Sequence, residues 1–165
     1  MAKNLIISMV QQYLGGVMTL EKFTYVKFKA GQIIFHENDP VRALYIVQSG
    51  QIEVFRRVNS GPRILLGLIG SGEYLGELSV ISENPFHSAT AVALTVSEVI
   101  RIPVDAINEQ LKDVPPWLVA LTRGLGNKLR RANEVLRRNG VVDDQLETAI
   151  YSVLENERKK NSGGK

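Results

Sequence analysis

Residues 76–90 read GELSVISENPFHSAT. A glycine and a glutamate lead into an aliphatic run, and after Pro85 come His87, Ser88, Ala89 and Thr90. Small residues at turns bring backbone N–H groups close to a ligand, the arrangement with which loops hold a phosphate. A cation is expected beside that phosphate, yet neither lysine nor arginine occurs between Gly76 and Thr90. The rest of the chain offers little other chemistry. Cysteine is absent, which excludes disulfides, thiolate metal ligands and cysteine nucleophiles. His36 and His87 stand 51 positions apart, a poor spacing for a metal centre and a poor supply for a nucleophile–base pair. The chain reads as a non-enzyme that needs no metal or cofactor.

The elements that must position this stretch are strands. From Thr24 to Pro103, short apolar runs are separated by turn residues about every ten positions, the pattern of a sandwich or barrel. TYVKFK turns at Ala30-Gly31 into QIIFH, and the loop Glu37-Asn38-Asp39-Pro40 precedes ALYIVQ. Ser49-Gly50 turns into QIEVFRRV, where Ile52 and Val54 alternate with Glu53 and Phe55. RILLGLI, SATAVALT and EVIRIP complete the strands. Helical period over more than one turn is absent from this region.

Beyond Pro103 the period changes. VDAINEQLKD predicts a short helix ending before Val114-Pro115-Pro116, and Pro116 suits the first turn of the next one. Leu118, Leu121, Leu125, Leu129, Ala132 and Leu136 recur at steps of three and four as far as Asn139-Gly140, predicting a long helix over 116–139. That stripe predicts a homodimer interface, with Gly124 and Gly126 admitting the backbone of a second copy. A further helix is expected over 141–160, with an Asp144/Glu147 capping pair and an apolar face of Leu146, Ala149, Ile150, Val153 and Leu154 that packs within the dimer. Residues 1–23 read as a packing helix and 161–165 as a disordered tail.

Of the 165 residues, 44% are hydrophobic and 22% charged, as in a soluble globular domain. The apolar stretch near the N-terminus is broken by Gln11, Gln12 and two glycines, so no membrane span or export signal is read there. A cytoplasmic protein is expected. The formal charge of +3 sits largely at Lys128, Arg130, Arg131, Arg137 and Arg138 and in the Arg158-Lys159-Lys160 tail, and reads as solvated helix face.

The ordered set of Gly31 with Ile33, the END-P loop at 37–40, LYIVQSGQIEVF at 44–55, GEYLGELSVI at 72–81 and SATAVAL at 88–94 resembles the cyclic-nucleotide-binding domain. This is the sensor module of catabolite-activator regulators, kinase regulatory subunits and gated channels. The likeness covers roughly residues 20–139. It implies a mainly β fold with helices, a double-stranded β-helix (jelly roll) over 24–139 including the long helix, flanked by the N-terminal helix and the C-terminal helices. It also implies a ligand, cyclic AMP or cyclic GMP, held by Gly76, Glu77, Leu78, Ser79, His87, Ser88 and Ala89, with Glu77 accepting from the ribose hydroxyl. Base contacts fall at Ala132 and Asn133. The family's phosphate loop carries an arginine before its serine or threonine; here the loop is one residue longer and His87 stands there. If His87 serves as the donor, phosphate favours its protonated form and affinity is expected to rise as pH falls from about 8 to about 6.

A stand-alone regulatory sensor that signals to a protein partner by helix rearrangement is therefore the expectation. The alternative is a degenerate pocket kept as a dimeric scaffold. A DNA-binding regulator is disfavoured, because 25 residues follow Gly140 and their first turn is acidic, too little for a winged helix-turn-helix; no DNA binding is expected of this chain. A cupin-type metalloenzyme is disfavoured by the histidine spacing.

Overall fold

The computed structural model describes residues 23–57, 63–81 and 85–138, together with 148, 150–156 and 159. Among the described residues, eight strands form two antiparallel sheets. β1 (Thr24–Phe28), β8 (Ser97–Pro103), β3 (Ala43–Ser49) and β6 (Tyr74–Leu75) make one, in the order β1-β8-β3-β6. β2 (Ile33–Phe35), β7 (Thr90–Ala93), β4 (Ile52–Arg57) and β5 (Arg63–Ile69) make the other, in the order β2-β7-β4-β5. Apart from the hairpin partners β4 and β5, neighbours in each sheet are far apart in sequence, so the chain crosses repeatedly between sheets and rolls up. The expected jelly roll is the fold observed.

Its core lies between the sheets. Phe28, Val47, Leu75 and Val99 from one sheet meet Phe35, Ile52, Ala91 and Ala93 from the other. Val47, Ile52 and Val99 are completely buried, and each full burial of such a side chain contributes about 1.5–3 kcal/mol. The second face of β4 is also covered, contrary to the simple alternation of its sequence. Glu53 is buried and ion-paired to Arg63, whose guanidinium lies 4.0 Å above the Phe55 ring. Pairing with a neighbouring arginine offsets the cost of burying that carboxylate.

Among the described residues, three helices are named elements beside the strands. α1 (Glu77–Ile81) is a single turn inserted after β6; α2 (Val104–Leu111) continues directly from β8; α3 (Pro116–Arg138) is the long helix. α2 ends two residues before the expected boundary, and α3 is helical as far as Arg138, with Asn139 outside the described residues. Residues 150–156 are helical, and Ile150 is buried. The N-terminal helix expected over 1–23 lies outside the described residues except at Phe23, as do the Asp144/Glu147 capping pair and the 161–165 tail. Among the described residues, no helix is long and apolar enough to cross a membrane.

The face of α3 that meets the roll is offset from its leucine stripe. Gly126 is buried, and a Cβ there would meet Ile81 Cγ1 at 3.0 Å and Cδ1 at 3.1 Å. The close approach that Gly126 permits is therefore to α1 of the same chain, not to a second copy. Gly124 has open space beside it. Leu118, Leu121, Leu125, Leu129 and Ala132 remain exposed, with Leu125 at 57%. The Leu136 side chain is not among those described.

Candidate functional site

The GELSVI stretch becomes a strand end, a glycine corner and one helical turn. Gly76 has φ +86, which side-chain-bearing residues rarely adopt. A Cβ at Gly76 would also lie 3.4 Å from both Ala43 O and His87 Cε1. Glycine is thus required by its own dihedral, while the loop that passes over it would leave a Cβ at ordinary contact distance. Gly76 O accepts from the Ser79 and Val80 N–H groups at 3.2 Å, starting α1. Leu78 and Ser79 turn inward and are buried.

A cavity of about 150 Å³ lies inside this corner. Gly76, Glu77, Leu78, Ser79, His87, Ser88 and Ala89 all line it, so the structure gathers every residue expected to hold phosphate or ribose. Val54, Leu66, Gly67 and Ile69 form the apolar floor from β4 and β5. Among the described residues, α3 contributes Asn133. Ala132, the other expected base contact, is exposed and does not reach the cavity, because one residue along a helix turns the side chain by about 100°.

Electrostatics differ from the sequence expectation at His87. Its ring stacks on Phe35 with centroids 3.6 Å apart and planes within 5°. The side chain is 4% exposed. Burial pushes the imidazole down to about 4, against a smaller upward pull from Asp39. Without a ligand, His87 is therefore a neutral ring packed into the cavity wall at physiological pH. Glu77 sits at the mouth, still reached by water. Desolvation by the cavity wall raises its carboxyl above the usual range, and the N–H groups of Glu77 and Leu78, donating to it, draw it partly back. A ligand hydroxyl donating to Glu77 would relieve that desolvation.

The loop of residues 36–41 is stitched to the phosphate loop. Asn38 N–H donates to His87 O and His87 N–H to Asp39 O, each at 2.9 Å; Val41 N–H donates to Pro85 O at 2.8 Å. Glu37 N–H donates to Thr90 Oγ1 at 3.0 Å. These bonds hold Ser88 and Ala89 off the sheet, so β7 begins at Thr90 and not at Ser88 as alternation suggested. Arg56, at the end of β4, donates through Nε to Glu37 at 2.8 Å and through Nη1 to Glu134 of α3 at 2.9 Å. Sequence reading missed this arginine. An arginine on the same strand face as the cavity-lining Val54 was the available signal.

A larger cavity, about 620 Å³, lies on the far side of the second sheet between Glu53, Arg63, Leu65, Val92 and the helical stretch at Ile150 and Leu154. Its charged groups are already paired with each other. The segment at 150–156 thus covers the roll of its own chain.

Comparison with known proteins places this geometry in context. Residues 25–113 match the cyclic nucleotide-binding domain family. The CRP-like cAMP-activated global transcriptional regulator of Mycobacterium tuberculosis (strain H37Rv) is 32% identical over 111 residues, 67% of this chain and 49% of the regulator. The chain thus spans about half the length of that relative. Among solved structures, the cAMP-bound form of the EAL enzyme Bd1971 aligns with TM-score 0.63 at 26% identity, over 81% of this chain and 34% of that one. The catabolite activator protein of Thermus thermophilus aligns with TM-score 0.57 at 29% identity, over 77% and 62%.

Proposed function

The chain belongs to the cyclic nucleotide-binding domain family, and we propose that it binds a cyclic nucleotide in the cavity at Gly76–Ala89 and reports occupancy through α3. The observation that carries this reading is the convergence of Gly76, Glu77, Ser79, Ser88 and Asn133 on one cavity whose floor is apolar. An acceptor at the mouth, a hydroxyl and backbone amides at a glycine corner, and an amide side chain on the facing helix suit ribose, phosphate and base respectively.

At about 150 Å³ the cavity is smaller than the roughly 300–1,000 Å³ usual for small-molecule sites. Binding must therefore move a wall. Strands β4 and β5 and the stitched loop are tied by backbone hydrogen bonds, whereas among the described residues α3 lines the cavity through the Asn133 side chain. α3 is the wall that moves, which converts occupancy into a helix displacement. Its exposed stripe of Leu118, Leu121, Leu125, Leu129 and Ala132 supports a homodimer, in which the displacement reaches the mate and a protein partner. The module itself performs no catalysis in this reading, works in the cytoplasm and needs no cofactor.

Calorimetric titration with cyclic AMP and cyclic GMP tests the proposal. Saturable binding at micromolar concentrations, lost in Gly76→Val, supports it. Neither heat nor a rise in melting temperature with millimolar ligand overturns it. The second reading, a closed pocket kept as a scaffold, is favoured by the small volume and by the lack of any lysine or arginine among the lining residues. In that case dimerisation persists without ligand binding.

A further inference from the structure

Arg56 connects three parts of the molecule by charged side-chain contacts. It projects from β4, carries its side chain 80% out of solvent, and reaches Glu37 in the 36–41 loop and Glu134 on α3. Its Nη2 lies 2.6 Å from Glu37 Oε1, its Nη1 2.9 Å from Glu134 Oε2. Glu134 directly follows Asn133, the α3 residue that lines the cavity. The 36–41 loop, in turn, is bonded to Pro85, His87 and Thr90 on both sides of Ser88 and Ala89.

From this we infer that Arg56 is a positioning residue for the ligand cavity: it fixes the rotation of α3 that places Asn133 over the site, and ties that helix to the loop framing Ser88 and Ala89. The inference rests on the cavity being the ligand site, as proposed above, for its functional half alone. The physical basis is directional. Gly126 packing against Ile81 sets how near α3 lies, but contact with aliphatic carbons leaves the helix free to roll about its axis. A charge-assisted hydrogen bond at Glu134, two turns along, fixes the roll. Since Glu37 and Glu134 share one guanidinium, a shift of the loop on phosphate binding alters the geometry available to α3. The cavity and the helix are thus coupled through named groups, and the coupling is open to direct measurement.

Hydrogen–deuterium exchange of the ligand-free protein is the first arm, comparing the parent with Arg56→Met, Glu134→Gln and the double variant. Amides of 127–138 should exchange about tenfold faster in Arg56→Met, the scale of a lost charge-assisted bond. Those of β3 and β8 should be unchanged, and the double variant should be no faster than Arg56→Met. Methionine keeps most of the arginine stem, and Glu134→Gln, on a helix surface, decides the matter if Arg56→Met fails to fold. Unchanged α3 exchange in the folded single variants, or acceleration that simply adds in the double variant, overturns the inference. The second arm is titration with cyclic AMP. Arg56→Met should weaken binding about tenfold and make Asn133→Ala silent, whereas independent losses in the two variants overturn the positioning role. If the parent does not bind cyclic AMP, the ligand reading fails while the exchange arm still decides the tie between Arg56 and α3.

Discussion

Acidification should destabilise this protein through His87 before most of its carboxylates titrate. In the unfolded chain the imidazole has the ordinary value of about 6.5. In the fold, burial holds it at about 4. A histidine with a depressed folded value contributes stability that is complete above about 6.5 and drains away as pH falls towards 4, since the unfolded chain binds the proton first. At pH 5 the unfolded imidazole is almost wholly protonated and the folded one about a tenth so. The linkage relation then gives a loss of about 2 kcal/mol relative to pH 7. Urea unfolding at pH 7 and pH 5, in the parent and in His87→Gln, isolates the effect, because carboxylates titrate alike in both. The parent should lose about 2 kcal/mol more than the variant across that interval. Equal losses, or a His87 ring proton that titrates near 6.5 by NMR, would refute the buried neutral imidazole. The same state predicts cyclic AMP affinity that is flat between pH 8 and pH 6, without the rise expected from the sequence. Affinity rising tenfold over that range would mean the phosphate charges His87 after all.

Leu125→Glu places a charge in the middle of the exposed α3 stripe and should convert a homodimer to monomer by light scattering; a monomeric parent at high concentration removes the dimer proposal. Gly126→Val forces Ile81 aside and should cost about 1–3 kcal/mol in thermal or urea unfolding, whereas Gly124→Ala, facing open space, should stabilise by up to about 1 kcal/mol through helix propensity. Glu77→Gln removes the negative acceptor at the cavity mouth and should weaken cyclic nucleotide binding about tenfold while leaving unfolding within about 0.5 kcal/mol of the parent. Unchanged calorimetric affinity would take Glu77 out of the site.

The roll was legible because its turns are written in glycine and its strands in β-branched residues, and the distributed motif from Gly31 to Leu94 located the cavity wall residue by residue. What escaped was set by contacts between distant segments. β6 has two residues and no alternation to read. Ser88 and Ala89 look like strand until the 36–41 loop takes their neighbours' hydrogen bonds. Glu53 alternates as a surface residue, but Arg63 on the adjacent strand makes burial affordable. His87 sits where a phosphate donor was expected, and its burial, with Phe35 from 52 positions earlier stacked on its ring, favours the neutral form. Gly126 could have been placed correctly: one position from Leu125 is about 100° around the helix, off the stripe and towards the roll.

Strand β5 ends its sheet among the described strands, and five of its seven residues, RILLGLI, are aliphatic. An edge of that composition is a template for aggregation, because its outward backbone groups can pair with the same strand of another molecule. The register slips there: Val54 faces Gly67 and Phe55 faces Leu65, leaving Leu66 as an extra residue. Such a bulge bends and twists an edge so that a second copy cannot lie flat along it. Leu66, one of the residues that form the apolar floor of the cavity, is therefore also expected to hinder edge-to-edge stacking of concentrated protein. Deleting Leu66 would straighten the edge, and turbidity on mild heating would reveal it.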